Sequence, residues 1–92
     1  MSINISLVLP CYNEEKNIPF LCKEFLDLPI QNYRAELILV NNGSTDNTKN
    51  RIEQEIKNNK SSNVVIKLVD LNLNKGYGGG IFEGLKKATG DY

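Results

Sequence analysis

Three short apolar runs, each closed by turn-forming residues and followed by a helical pattern, constrain this chain more than any other feature. The first, Ile3 to Pro10, carries Ile5, Leu7, Val8 and Leu9 and is ended by Pro10, which lacks a backbone donor. The second, Glu36 to Val40, contains Leu37-Ile-Leu-Val40, and the third is Val64-Val-Ile-Lys-Leu-Val69. Each is too short for a helix and too apolar for a strand with one wet face, so each predicts a strand buried on both sides.

Helical spacing follows each run. Ile18, Leu21, Cys22, Phe25 and Leu26 fall at i, i+3, i+4, i+7 and i+8, one apolar stripe, with Pro19 suited to a first turn and Pro29 closing the segment. Asn47 to Asn58 is a mostly polar helix in which Ile52 and Ile56 are expected to face inward, and Lys60 to Asn63 is a solvated loop. Ile81 to Ala88 is a short helix ended by Gly90. Strand, elbow and helix thus alternate three times. That order predicts an α/β sandwich of three layers around a mainly parallel sheet, βαβαβα, with right-handed crossovers. Every polar elbow then lies at the C-terminal edge of the sheet, where open α/β sheets bind ligands.

Composition removes several chemistries. The chain of 92 residues has no histidine, which excludes a Ser-His-Asp relay, a Cys-His pair and a histidine-ligated zinc within it. Eleven basic and eleven acidic residues cancel, so no general field draws nucleic acid or an anionic membrane. Cys11 and Cys22 lack CxxC spacing and read as reduced, buried thiols of a cytoplasmic protein. No signal peptide is visible, and the longest unbroken apolar run, Leu37 to Val40, is far below the roughly 20 residues of a membrane span.

The three elbows carry what chemistry the chain has. Pro10-Cys-Tyr-Asn-Glu-Glu15 can aim Tyr12 for stacking on a base, with Asn13 and Glu14 as a mixed donor and acceptor edge. The same residues would serve equally as a helix cap with a supporting tyrosine. Val40-Asn-Asn-Gly-Ser-Thr-Asp46 is expected to point the amides of Asn41 and Asn42 into the sheet-edge crevice, and backbone amides from Gly43 to Asp46 lead into a helix. Ser44 or Asp46 also suits a simple N-cap, and residue types alone leave both readings open. The third elbow packs five glycines into Gly76 to Gly84. It fails the dinucleotide fingerprint in both registers, because Ile81 and Glu83 stand where glycine is needed. Gly79 to Gly84 satisfies GxxxxG, yet Leu85-Lys86 follows in place of Lys-Ser or Lys-Thr, so it is no P-loop. What remains is a glycine-rich approach to a helix with Lys75 on its rim, able to admit a ligand or to pack tightly on the sheet.

Together, Val8-Leu-Pro-Cys-Tyr-Asn-Glu-Glu15, Val40-Asn-Asn-Gly-Ser-Thr-Asp46 and Asn74-Lys-Gly-Tyr-Gly-Gly-Gly80 through Ala88-Thr-Gly-Asp91 resemble, in order and spacing, the nucleotide-binding half of a family 2 glycosyltransferase of GT-A type fold. The resemblance runs the length of the chain. It implies a Rossmann-like N-terminal part, residues 1–92, of a single larger domain cut short at Tyr92. It implies inverting transfer of a sugar from a nucleotide-diphosphate donor, a UDP- or GDP-sugar, to a hydroxyl of a glycan or lipid-linked sugar acceptor. In that scheme Pro10, Tyr12 and Glu14 line the base and ribose, with Asn13 and Ser44 beside them. Asn41 or Asn42 holds the base edge, and Lys75 and Gly76 lie on the ribose or diphosphate side.

Three positions depart from the family pattern. Asn41 and Asn42 stand where the family usually carries Asp at one or both, and Tyr77 stands where Lys or Arg is common. The resemblance further implies a Mg or Mn ion held by an acidic motif beyond Tyr92, because this chain has no Asp-x-Asp. The catalytic base, the acceptor pocket and any membrane association are likewise expected outside it. Residues 1–92 alone are therefore expected to be inactive. The competing reading is a stand-alone α/β module that binds a nucleotide or a protein partner at the same edge.

Overall fold

A computed structural model of the chain describes residues 3–74 and 76–86. The elements run β1 (Ile5–Cys11), α1 (Ile18–Leu26), β2 (Ala35–Asn42), α2 (Thr48–Asn58), β3 (Val64–Leu71) and α3 (Gly76–Leu85). The three strands form one parallel sheet in the order β1-β2-β3, with Cys11 level with Asn41 and Asn41 level with Asp70. All eight residues of β2 are buried, as its central place and unbroken apolar run require.

Because strand residues alternate faces, the register divides the sheet into two packed sides. Leu9, Leu37, Leu39, Val64 and Ile66 meet Ile18, Cys22 and Phe25 of α1 and Ile52 of α2 in the main core. Val8, Pro10, Val40 and Asn42 occupy the opposite side, against α3. Helices therefore cover both faces of the sheet, the three-layer α/β architecture expected from the alternation of elements.

The apolar stripe of α1 buries Ile18, Cys22 and Phe25, and Pro19 occupies its first turn. In α2, Ile52 is fully buried, but Ile56, expected to face inward, is 37% exposed. α2 packs chiefly on β3, an edge strand among the described residues, and less on the central β2.

The largest revision concerns α3. It begins at Gly76 and takes in the glycine cluster, whereas the sequence places its start at Ile81; Ala88 and Gly90, its expected end, lie outside the described residues. Glycine disfavours a helix interior by about 1 kcal/mol each relative to alanine, so propensity argues against this helix. Close packing reverses the balance. A Cβ at Gly84 would lie 2.3 Å from Val8 Cγ1 and 2.9 Å from Val40 Cγ2, and one at Gly80 would lie 3.0 Å from Pro10 Cβ. The two glycines are four residues apart, on one face, and let the helix backbone lie on the sheet.

Cys11 and Cys22 are free and buried, as expected. Burial, reinforced by the charge of Glu14, pushes the Cys11 thiol up to about 12; burial and Glu55 do the same for Cys22. Neither is a ready thiolate at neutral pH. In the native protein at neutral pH both should resist iodoacetamide while full denaturation exposes both, a difference that mass spectrometry reads directly. Rapid native alkylation of either would contradict the packing.

Candidate functional site

The elbow after β1 and the elbow after β2 are laced to each other. Asn13 takes a left-handed φ of 52°, tolerable for an Asn, and its N–H donates to Ser44 Oγ at 3.0 Å. Asn13 Oδ1 in turn accepts the Thr45 N–H at 2.8 Å. The Glu14 N–H donates to Thr48 Oγ1 at 3.0 Å, and the Thr48 hydroxyl donates to Asp46 Oδ1. Asp46 also accepts the N–H groups of Thr48 and Glu15, while Glu15 Oε1 accepts the N–H of Asn47. The hydrogen bond from the Thr48 side chain, with those from backbone amides, holds the Asp46 carboxyl below its ordinary range. Glu14 Oε2 accepts from the Asn17 side chain, and the Glu14 carbonyl accepts from the N–H groups of Asn17 and Ile18 at the start of α1.

The helix-capping reading thus describes much of the first two elbows. Asn13, Ser44 and Asp46 hydrogen-bond to backbone and to neighbouring hydroxyls of the two elbows. Asn47, not Ser44 or Asp46, is the N-cap of α2, and it makes no side-chain cap bond; the Asp46 carboxylate serves the Thr48 N–H instead.

The elbow after β3 closes on the second elbow. The Gly43 N–H donates to the Leu71 carbonyl at 3.1 Å, extending the ladder by one bond. Asn42 Nδ2 donates to the Gly76 carbonyl at 2.9 Å, and the Gly76 N–H donates to Asn74 Oδ1 at 2.6 Å. Between the first and third elbows lies a cavity of about 240 Å³ lined by Pro10, Tyr12, Asn42, Asn74 and Gly76. Tyr12 is 47% exposed, so its ring is open to a ligand. A Cβ built on Gly76 or Gly78 meets nothing within 4 Å, which leaves room beside the first turn of α3. Apolar walls with a few amide groups at a helix start suit a planar heterocycle bearing an anionic tail.

Of the residues singled out in the sequence, Pro10, Tyr12, Asn42 and Gly76 come together on this cavity. Asn13, Glu14 and Ser44 are not on its lining but in the hydrogen-bond network that joins the first two elbows, and Lys75 lies outside the described residues. Asn41 does not join Asn42. Adjacent strand residues face opposite sides, and Asn41 turns to the α2 side, where its Nδ2 donates to Asp70 Oδ1 at 2.8 Å and Asp70 pairs with Lys49 at 3.2 Å. Its Oδ1 is buried and meets no donor among the described residues. Asn74 is the lining residue that sequence reasoning passed over. Its signal was the Asn-x-Gly spacing, which favours a side-chain turn onto the N–H two residues on.

A second cavity, of about 190 Å³, lies away from the elbows among Leu7, Leu9, Leu21, Phe25 and Leu28 beside α1. Its walls are mostly apolar, with Glu24 as the one ionisable residue on its lining. Among the described residues no cluster of three or more Cys, Asp or Glu could hold a metal ion. No helix among them is long and apolar enough to cross a membrane.

The family model described as "Glycosyl transferase family 2" matches residues 6–92. The chain belongs to this glycosyltransferase family. Among curated relatives, it is 35% identical over 88 residues to the poly-beta-1,6-N-acetyl-D-glucosamine synthase of Staphylococcus epidermidis, covering 96% of this chain and 20% of that protein. It is 38% identical over 88 residues to the undecaprenyl-phosphate 4-deoxy-4-formamido-L-arabinose transferase of Proteus mirabilis, covering 95% of this chain and 26% of that protein. Among solved structures, S. aureus TarS superposes with a TM-score of 0.72 at 27% identity, over 96% of this chain and 25% of that one. The chain spans about a fifth to a quarter of the length of these proteins. The family 2 fold thus accounts for the three parallel strands and for the elbows gathered at one edge.

Proposed function

We propose that this chain is the donor-nucleotide half of a glycosyltransferase, binding a UDP- or GDP-sugar in the cavity between the first and third elbows. The observation that carries the reading is the cavity itself, because Pro10, Tyr12, Asn42, Asn74 and Gly76 converge there from three separate elbows of a family 2 chain. Tyr12 offers a ring face for the base, Asn42 an amide edge, and the open backbone at Gly76 and Gly78 a place for the diphosphate beside the start of α3. Asn13, Glu14 and Ser44 act on the ligand through the hydrogen bonds that fix the elbow on either side of the cavity-lining Tyr12 to the second elbow.

In the whole protein the acceptor hydroxyl attacks the anomeric carbon from the face opposite the nucleotide. The new C–O bond forms as the bond to the diphosphate breaks, the acceptor proton passes to a base, and the configuration inverts. No described residue is assigned as that base. A Mg or Mn ion would neutralise the leaving diphosphate, but the described carboxylates do not fit one at the cavity. Asp70 is paired with Lys49 on the other side of the sheet, and Asp46 is held by Thr48. The reading places donor binding in the cytoplasm, with any membrane attachment supplied by other parts of the protein.

Titration of UDP and GDP into the protein by calorimetry tests the reading. One of them should bind, and Tyr12→Ala should weaken binding by about 1 to 3 kcal/mol if the ring stacks on a base. A folded Tyr12→Ala variant with unchanged affinity removes the stacking role. Absence of binding by either nucleotide removes the reading.

A further inference from the structure

Asn42 is tied to the third elbow by a bond that specifies its chemistry. Its Nδ2 donates to the Gly76 carbonyl at 2.9 Å, and that carbonyl belongs to the residue whose N–H is held by Asn74 Oδ1 at 2.6 Å. Gly76 sits at φ +75°, so the short Asn74 turn sets the backbone orientation that aims its carbonyl at β2. Asn74 is also pressed against the second elbow, since its backbone N lies 2.4 Å from where a Cβ on Gly43 would be. The relay Asn74, Gly76, Asn42 therefore joins β2 to the start of α3 across the cavity they line.

We infer that residue 42 of this protein must be a hydrogen-bond donor, and that Asn74 is a positioning residue that fixes the Asn42 carboxamide through Gly76. A carboxylate at position 42 has nearly the same shape as Asn but no N–H. It would set an anionic oxygen against the Gly76 carbonyl, both acceptors, and the contact would open. The presence of Asn42 is matched to Asn74 and Gly76. The nucleotide readout of this inference rests on the donor-binding reading; the lock itself does not.

Two measurements separate these claims: calorimetric affinity for UDP and GDP, and amide hydrogen exchange over residues 76–80 without nucleotide. Asn42→Asp should lower the affinity about tenfold, the scale of one lost bond with a stranded acceptor, and speed exchange over 76–80. Asn74→Ala should do the same, while Asn74→Asp, which keeps the acceptor for the Gly76 N–H, should recover most of the loss in both readouts. A purely structural asparagine would not follow that acceptor rule. Asn42→Asp with affinity and exchange equal to wild type overturns the inference, as does Asn74→Asp behaving like Asn74→Ala. Faster exchange with unchanged affinity overturns the positioning role. If wild type binds neither nucleotide, the donor-binding reading fails and exchange alone judges the lock. If Asn42→Asp does not fold, the two Asn74 variants decide.

Discussion

Replacing Gly43 with alanine is expected to destabilise the protein by about 3 kcal/mol. Gly43 holds φ +70°, a left-handed conformation that costs an alanine about 1 to 2 kcal/mol. The added Cβ would sit 2.4 Å from Asn74 N and 2.8 Å from Leu73 C. Both are backbone atoms, so no rotamer change relieves the contact, and overpacking of this kind costs about 1 to 3 kcal/mol more. Reduced freedom of the unfolded chain returns only about 0.4 to 1 kcal/mol. The unfavourable terms win. Urea unfolding should show a lower midpoint at unchanged slope, and nucleotide affinity should fall because the second and third elbows can no longer close. Gly78 provides the control within the same glycine-rich region. Its Cβ would meet nothing within 4 Å and it lies inside α3, so alanine there should raise stability by up to about 1 kcal/mol. Equal and small effects at 43 and 78 would mean that the close approach of Gly43 to Asn74 is wrong.

The second large effect concerns Glu36, a carboxylate wholly buried on the central strand. Lys67 Nζ lies 2.5 Å from its Oε2, and the Ser6 hydroxyl donates to its Oε1 at 2.6 Å. The three residues come from all three strands and face the same side of the sheet as α3. Lys67→Met should cost up to about 3 kcal/mol, since it removes one of the interactions that offset the desolvation of a buried charge. The Lys23–Asp27 pair is as short, 2.6 Å, but both side chains are mostly exposed, and Lys23→Ala should be barely measurable. Distance alone would rank the two pairs alike; burial separates them. Adding Glu36→Gln to Lys67→Met should recover much of the loss by removing the buried charge itself. A double variant no more stable than Lys67→Met would show that packing, and not charge, is what Lys67 supplies.

Legibility in the sequence followed the distance over which each feature is encoded. β1, β2 and β3 were visible because Leu37-Ile-Leu-Val40 and its counterparts carry their pattern within a few residues. The buried thiols and the stripe of α1 were visible for the same reason. The start of α3 was not, because five glycines in nine residues oppose a helix locally. Only contact of Gly80 and Gly84 with Pro10, Val8 and Val40 makes it favourable. That Asn13 bonds Ser44 was not legible either, because the bond spans 31 positions and leaves no trace in either elbow alone.

By itself the sequence determined the parallel α/β architecture, the gathering of three elbows at one sheet edge and the membership in glycosyl transferase family 2. These follow from local periodicity and from motif order, both written along the chain. Tertiary structure decided which polar groups face the cavity. Asn41 and Asn42 are chemically identical neighbours, yet one is spent on Asp70 and the other on Gly76. The ladder continues through Asn42, level with Leu71, and a strand must send successive side chains to opposite faces. Where the strand ends depends on its partner 29 residues away, and that register sets the chemistry of the site.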